Sequence, residues 1–501
     1  MKNVLEYLEQ SAQRNPLKTA VLDPDSSCDY MTLETRAKQI GTKLSKLVKP
    51  RQPVVCYMDK SVQCLQAFFG IVYSGCFYTL LDPSFPEDRV HQILEVLEPA
   101  AILTTHAYDG EVGKLKGCQP IYLEDIGTEI DQDLLARRRA GANDTDPLYC
   151  NFTSGSTGVP KGVLVCHRSV IDFINVFTDR FGITGEDVIG NQAPFDFDVS
   201  VKDIYPAMKT GATLVIIPKA YFMSPVKVID MLEDNSVTTM TWAVSALCML
   251  IRLHGFKYKV PHAINRIMFS GEVMPIKQFN KLKKIYPDIL YVNLYGPTEI
   301  TCNCTYHILD REYGEGDKMP VGIPFDNETV FLLDENDQAV EGEGVGEICV
   351  SGTALALGYY NNPETTAKAF CQNPLNKKYP ETIYRTGDLG YFQDGLLYFC
   401  GRKDFQIKHM GHRIELEEIE TVLGNVTGIS HACCAYDQER NKVVGFYVGD
   451  TDKAQIVEQM KAKVPEYMVP NVLQSVDTMP LTKNGKTDRK TLFARYKEGT
   501  L

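Results

Sequence analysis

Up to about Glu328, stretches of helical periodicity alternate with short, wholly apolar runs. Leu33, Ala37, Ile40, Leu44 and Leu47 recur at helical spacing, and Val54-Val55-Cys56-Tyr57 then reads as a short buried strand. Further strands are expected at Ala101-Ile102-Leu103, Thr213-Leu214-Val215-Ile216-Ile217 and Arg266-Ile267-Met268-Phe269, with helical patterns between them. Strands that are apolar on both faces must be covered on both faces, so the alternation predicts a mainly parallel sheet flanked by helices. From about Glu328 the texture changes to short strands with turn signals, as in Thr329-Val330-Phe331-Leu332-Leu333-Asp334-Glu335-Asn336. A smaller antiparallel or barrel-like piece is expected there. The strand pattern Leu396-Leu397-Tyr398-Phe399-Cys400 then gives way to a helix over 415–423, strands near 432–436 and 443–448, and a helix near 456–464. The chain therefore reads as α/β: a large N-terminal domain, 1–403, and a smaller α+β lobe, 404–501.

Composition narrows the function. A formal charge of −12 over 501 residues opposes duplex binding, which needs a concentrated basic stripe to displace counterions. The 15 cysteines have neither C-x-x-C spacing nor a paired histidine cluster, so no zinc site is expected. The N-terminal residues carry acid early and lack an apolar signal core. The most apolar stretch, 67–81, is broken by Ser74 and Gly75 and is too short to span a bilayer. Cytoplasmic location, without membrane insertion or a nucleic-acid partner, is the expectation.

The sharpest local signal is Thr153-Ser154-Gly155-Ser156-Thr157-Gly158-Val159-Pro160-Lys161-Gly162. Its glycines free the backbone for tight curvature, so that consecutive N–H groups converge on an anion among hydroxyls and one lysine. This is a phosphate cradle by composition. It is not a Walker A loop, because Gly162 follows Lys161 where a magnesium-binding Ser or Thr would stand.

Further segments follow in order: Asn293-Leu294-Tyr295-Gly296-Pro297-Thr298-Glu299, Tyr384-Arg385-Thr386-Gly387-Asp388-Leu389, Gly401-Arg402-Lys403-Asp404-Phe405-Gln406-Ile407-Lys408, Gly411-His412-Arg413-Ile414-Glu415-Leu416-Glu417-Glu418-Ile419-Glu420 and Asn484-Gly485-Lys486-Thr487-Asp488-Arg489-Lys490. Together with the cradle they resemble the adenylate-forming superfamily of acyl- and aryl-CoA synthetases, luciferase-like enzymes and amino-acid adenylation domains. The resemblance covers essentially the whole chain. It implies that the cradle residues Thr153, Ser154, Gly155, Ser156, Thr157, Gly158 and Lys161 bind the phosphates of ATP, and that Gly271, Glu272, Leu294 and Gly296 join the nucleotide site. Tyr295 would stack on the purine, Asn293 read its exocyclic amine and Thr298 meet the α-phosphate. Glu299 would hold Mg2+, a hard cation that suits a carboxylate. Asp388 would accept the ribose hydroxyls, with Arg402 and Lys408 as further nucleotide contacts. Lys486 would be the catalytic lysine, cancelling repulsion between the substrate carboxylate and the reacting phosphate. Asp404 falls at the superfamily's hinge, which makes the C-terminal lobe mobile.

Within the superfamily, amino-acid adenylation domains carry an aspartate that pairs with the substrate's α-ammonium. Phe195-Asp196-Phe197-Asp198 offers two candidates, and the register of Asp203-Ile204-Tyr205-Pro206 selects Asp198, leaving Asp196 a structural role. CoA ligases for fatty or aryl acids have no ammonium to balance, so a buried carboxylate there would be costly. The specificity positions carried over are Asp198, Val199, Lys202, Thr241, Met268, Ser270, Leu294, Cys302 and Asn303. The sequence ends soon after Lys486, so the expected acceptor is the phosphopantetheine thiol of a carrier protein acting in trans. Among such enzymes the chain most resembles the D-alanine–D-alanyl carrier protein ligases. A stand-alone nonribosomal peptide adenylation enzyme for a polar or acidic amino acid is the alternative, and an acyl-CoA ligase a more distant one. Lys202 divides the first two readings. Either its ammonium faces an acidic or polar substrate side chain, or it snorkels to water while its stem closes a small pocket.

Overall fold

The computed structural model describes residues 1–115, 119–155, 158–314, 316–481 and 487–501. They form two compact units. The first comprises Met1–Pro83, Glu98–Asn151 and Val163–Lys403, and the second Ser84–Leu97, Phe152–Gly162 and Asp404–Leu501.

In the first unit, one sheet orders the strands Ile323–Pro324, Thr305–Ile308, Leu290–Tyr295, Arg266–Ser270, Thr239–Ala243, Val188–Asn191, Thr213–Ile216, Thr19–Leu22 and Ser27–Asp29. Neighbours are parallel from Leu290–Tyr295 through Thr19–Leu22 and antiparallel at both edges. A second sheet is centred on Pro53–Tyr57 and Phe77–Leu81, which pair in parallel with every residue buried. That total burial is what their unbroken apolar runs require. The helix Tyr30–Ser45 turns Leu33, Ala37, Ile40 and Leu44 inward, as the periodicity predicts, and starts where the Asp29 side chain caps the Thr32 N–H. Leu47 lies beyond the helix and is exposed, so the last repeat of that pattern is not core.

The texture change at Glu328 is the first strand of a third, antiparallel sheet: Glu328–Leu333, Gly346–Gly352, Thr382–Gln393, Phe370–Gln372 and Leu396–Arg402.

The second unit is discontinuous. Two early segments join residues 404–501, a feature that pattern reading along the chain does not reveal. Its hairpin pairs Gln406–His409 with His412–Glu415 across Met410 and Gly411, which both have positive φ. The helix Leu416–Gly424 follows, then a sheet of Ile429–Asp437, Lys442–Gly449 and Val472–Ser475. Ile414, Leu416, Ile419 and Leu423 pack on this sheet's Cys434, Val443 and Tyr447. Among the described residues no helix is long and apolar enough to cross a membrane.

Candidate active site

The strand Leu290–Tyr295 carries Asn293, Leu294 and Tyr295 and ends in a turn that doubles back on itself. A Cβ on Gly296 would lie 2.4 Å from Asn303 Cα and 2.8 Å from the Cys302 carbonyl oxygen, so this crossing admits only glycine. Thr301 and Cys302 take positive φ to complete it. One loop thereby presents Thr298 and Glu299 on its outward limb and Cys302 and Asn303 on its return.

At the end where the resemblance puts the nucleotide, Asp388 and Arg402 face each other across paired strands. The Asp388 carboxylate accepts a 2.6 Å hydrogen bond from the Tyr295 hydroxyl and pairs with the Arg402 guanidinium. Burial, reinforced by the Asp388 charge, pushes the Tyr295 phenol well above its ordinary pKa, which keeps the proton on the donor. Asn293 donates through Nδ2 to the Pro320 carbonyl at 2.9 Å. Thr298 and Glu299 are buried, and the Tyr359 hydroxyl donates to Glu299 Oε1 at 2.6 Å. Sequence reasoning missed Tyr359, which lies 60 positions from its partner. Gly271, with φ +97°, and the half-buried Glu272 follow the strand Arg266–Ser270.

No group of three or more His, Cys, Asp or Glu side chains among the described residues could cage a metal. One carboxylate beside a hydroxyl nevertheless fits Mg2+, which keeps water and phosphate oxygens in most of its coordination sphere.

At the end where the resemblance puts the amino acid, Asp198 opens a short turn that runs into the helix Val201–Thr210. Cys302 Sγ donates to the Asp198 backbone carbonyl at 3.0 Å, which ties the returning limb of the loop to the start of that helix. Lys202 is 1% exposed, and its Nζ donates to Asn303 Oδ1 at 2.7 Å and Ser270 Oγ at 3.0 Å. The snorkelling alternative is therefore corrected: the ammonium points inward, toward Asn303 and Ser270. Thr241 and Met268 are direct partners on adjacent parallel strands, and Val199 and Leu294 are buried apolar positions. The Thr241 hydroxyl is buried with no hydrogen-bond partner among the described residues.

A layer that sequence reasoning missed lies next to this cluster. Asn191 donates to Asp203 Oδ2 at 2.8 Å and accepts from Lys60 Nζ at 2.9 Å. Lys60 also donates to the Gln192 and Ala193 carbonyls. Burial raises the Asp203 carboxyl to about 7 and lowers the Lys60 ammonium to about 7. Burial likewise raises Asp196 to about 7, with the neighbouring Asp82 charge adding to the effect. Lys60 stands in Met58-Asp59-Lys60-Ser61, which by composition resembles a solvated turn.

The second unit holds the described part of the cradle. Thr153 Oγ1 donates to the Lys161 carbonyl and the Gly158 N–H to that of Gly155, closing the loop on itself. Ser154 Oγ donates to the Arg413 carbonyl at 2.8 Å and accepts from the Glu415 N–H. Lys161 lies 3.9 Å from the Glu415 carboxylate. Lys408 is the cross-strand partner of Arg413, and Asp404 accepts from the Gln406 N–H. Ser156, Thr157 and Lys486 lie outside the described residues.

This arrangement, with parallel sheets, a Tyr-Gly-Pro-Thr-Glu loop and a donor-held aspartate on a separate antiparallel sheet, is that of an adenylate-forming enzyme. The comparisons give the family. Residues 8–360 match the AMP-binding enzyme family and residues 418–486 the AMP-binding enzyme C-terminal domain, and the chain belongs to this family. It is 33% identical over 496 residues to tyrocidine synthase 3 of Brevibacillus parabrevis, covering 98% of this chain but 8% of that protein. Other large synthases in the comparison are likewise matched over a small fraction of their length.

Two relatives match along nearly their whole length. The D-alanine–D-alanyl carrier protein ligase of Staphylococcus haemolyticus is 32% identical, with 98% of each chain covered. Zwittermicin A synthase ZmaJ of Bacillus cereus is 32% identical, with 98% of this chain and 94% of that protein covered. Among solved structures, IdnL1 superposes with a TM-score of 0.81 at 26% identity over 96% of this chain and 99% of the other. PA1221, a nonribosomal peptide synthetase protein with adenylation and PCP domains, reaches 0.86 at 23% identity, over 99% and 84%, and supports the fold alone.

Proposed function

We propose that this protein activates an amino acid as its aminoacyl-AMP, using ATP and Mg2+, and passes the acyl group to the phosphopantetheine thiol of a carrier protein in trans. The observation that carries the reading is the buried carboxylate of Asp198 at the head of the helix Val201–Thr210. Asp198 stands where amino-acid adenylation domains carry the aspartate that pairs with the α-ammonium, a partner that a fatty or aryl acid does not bring. The D-alanine–D-alanyl carrier protein ligase among the relatives supports a carrier protein over CoA as the acceptor. The 14 described cysteines are free thiols, in keeping with a cytoplasmic setting.

In this reading Asp388 accepts the ribose hydroxyls while Tyr295 and Arg402 fix its orientation, and Asn293 and Tyr295 receive the base. Glu299 would hold Mg2+, which when bound neutralises phosphate charge, and Thr298 would meet the α-phosphate. The cradle receives the phosphates, Lys408 makes a further nucleotide contact, and Lys486 stabilises charge on the α-phosphoryl group. Asp404 acts as the hinge that lets Lys486 give way to the thiol between half-reactions.

Side-chain selection rests on Lys202. A lysine at one of the carried-over specificity positions suits a polar or acidic substrate side chain better than the methyl group of alanine, so we place the substrate in that class. ATP–pyrophosphate exchange measured with each D- and L-amino acid tests both levels. Exchange is expected with one or a few polar or acidic amino acids and not with fatty acids. Exchange driven by a fatty or aryl acid alone would sink the amino-acid reading, and alanine as sole substrate would sink the side-chain assignment.

A further inference from the structure

We infer that Glu418 is a built-in anion of the phosphate loop, held where nucleotide phosphate binds, so that ATP enters only by displacing it. The inference rests on the reading of 153–162 as the phosphate cradle, and all the residues concerned belong to the second unit.

The loop closes tightly at Gly155. A Cβ on Gly155 would come within 1.9 Å of the Val159 carbonyl oxygen, so the turn admits no side chain there. The buried N–H of that glycine donates to Glu418 Oε2 at 3.1 Å. The other carboxylate oxygen, Oε1, takes Arg89 Nη1 at 2.7 Å, and both side chains are nearly inaccessible, at 2% and 5% exposure. The same stretch of chain engages the loop's other polar groups. Ser154 bonds to the backbone of Arg413 and Glu415, and Lys161 faces the Glu415 carboxylate, which also accepts from Gln406 Nε2 at 2.6 Å. An N–H donor, a hydroxyl and an ammonium are the groups a phosphate would recruit. In this structure residues 413–418 occupy them.

Carboxylate and phosphate are acceptors of the same kind, and one N–H cannot serve both. Burial pushes the Glu418 carboxyl upward in pKa while Arg89 and the Gly155 N–H oppose the shift, so its charge depends on the contacts a phosphate would take over. A Mg-bound triphosphate brings more charge than a single carboxylate and displaces it. Once pyrophosphate has left, Glu418 returns and resists its rebinding. Glu418 is thus a positioning residue that sets the exchange between nucleotide and chain at the loop, not a catalytic residue.

Binding of MgATP, measured by calorimetry without amino acid, tests this on the full chain. Glu418→Gln keeps the shape but weakens the competitor, and the expected result is binding about fivefold tighter than wild type, the worth of one hydrogen bond. Carrier loading by the same variant becomes more sensitive to added pyrophosphate by a similar factor. If Glu418→Gln does not fold, the paired variant Arg89→Met with Glu418→Leu removes both charges together, and it too is expected to bind MgATP more tightly than wild type. MgATP affinity equal to or weaker than wild type in a folded variant overturns the inference, because a purely structural ion pair would lower the melting temperature without tightening nucleotide. Absence of MgATP binding by the wild type would instead overturn the reading of the cradle.

Discussion

At the nucleotide end of the first unit, the Asp388 carboxylate is met by Tyr295 and Arg402, whereas at the amino-acid end Asp203 takes one hydrogen bond from Asn191 and keeps Oδ1 buried without a partner. Both carboxylates are almost wholly inaccessible. The difference lies in the donors supplied. In the proposed reading, an acceptor of ribose hydroxyls has one geometry to hold whatever the amino acid, and two strong donors fix it. In that reading the amino-acid end balances several charges, Asp198, Lys202, Asp203 and Lys60, in a space that would also admit a charged substrate. Charges there remain adjustable, and the groups raised or lowered to about 7 are found there.

The strongest way to break this comparison is Asp198→Ala. Truncating one partner of a buried ion pair costs about 3–5 kcal/mol, so amino-acid-dependent pyrophosphate exchange should fall by roughly 10²–10³. MgATP binding measured calorimetrically should hold. A parallel loss of nucleotide affinity would show that the two ends are not separate.

Asp388→Ala probes the opposite end. It removes a charged acceptor and leaves Arg402 and Tyr295 without it, so the KM for ATP should rise by about 10- to 100-fold, from about 1.5–3 kcal/mol. The ranking of amino acids in the exchange assay should not change, and a reordered ranking would contradict the division.

Lys202→Met sharpens the amino-acid end alone. Its expected effect is a shift of roughly tenfold in kcat/KM away from acidic or polar side chains toward small apolar ones, well below the Coulomb limit of about 4 kcal/mol at 4 Å. An unchanged substrate profile would mean that the ammonium serves the packing of Ser270 and Asn303 only.

The smallest effect expected is on pH dependence. Asp203 has a folded pKa raised from 3.8 to about 7, so its contribution to stability is fully present below the unfolded value and is lost as pH rises through 7. Lys60, lowered from 10.5 to about 7, acts in the other window: the stability it withholds below 7 is recovered as pH rises toward 10.5. Asp203→Asn should therefore flatten the decline in melting temperature between pH 5 and 7, by about a degree or two. A slope as steep as wild type would remove Asp203 from the account.

Much of this arrangement is legible in the sequence because it is local. Apolar runs such as Val54-Val55-Cys56-Tyr57 declare buried strands by themselves, and Asn293 to Glu299 declare a strand followed by a turn and a ligand-bearing loop. The rest is not legible because the partners are distant in the chain. Lys60 meets Asn191 across 131 positions, Tyr359 meets Glu299 across 60, and Arg89 meets Glu418 across 329. Nothing in Asp59-Lys60-Ser61 or Pro86-Glu87-Asp88-Arg89 separates a buried cation from a solvated one, since local composition carries no record of what packs above it. The inward turn of Lys202 is also tertiary information: it depends on Ser270 and Asn303 arriving from another strand and another loop.

The three-part build of the second unit bears on recombination between relatives. A chimaera made by transplanting residues 404–501 alone would set a donor's counterpart of Glu418 against the host's Arg89 and the host's glycine turn, and a donor's counterpart of Lys463 against the host's Asp88. Any mismatch at the first contact would strand a guanidinium away from water. The natural unit of exchange is residues 84–97, 152–162 and 404–501 moved as a set, so a crossover library cut at residue 404 would sever partnerships that one cut at all three segments keeps whole.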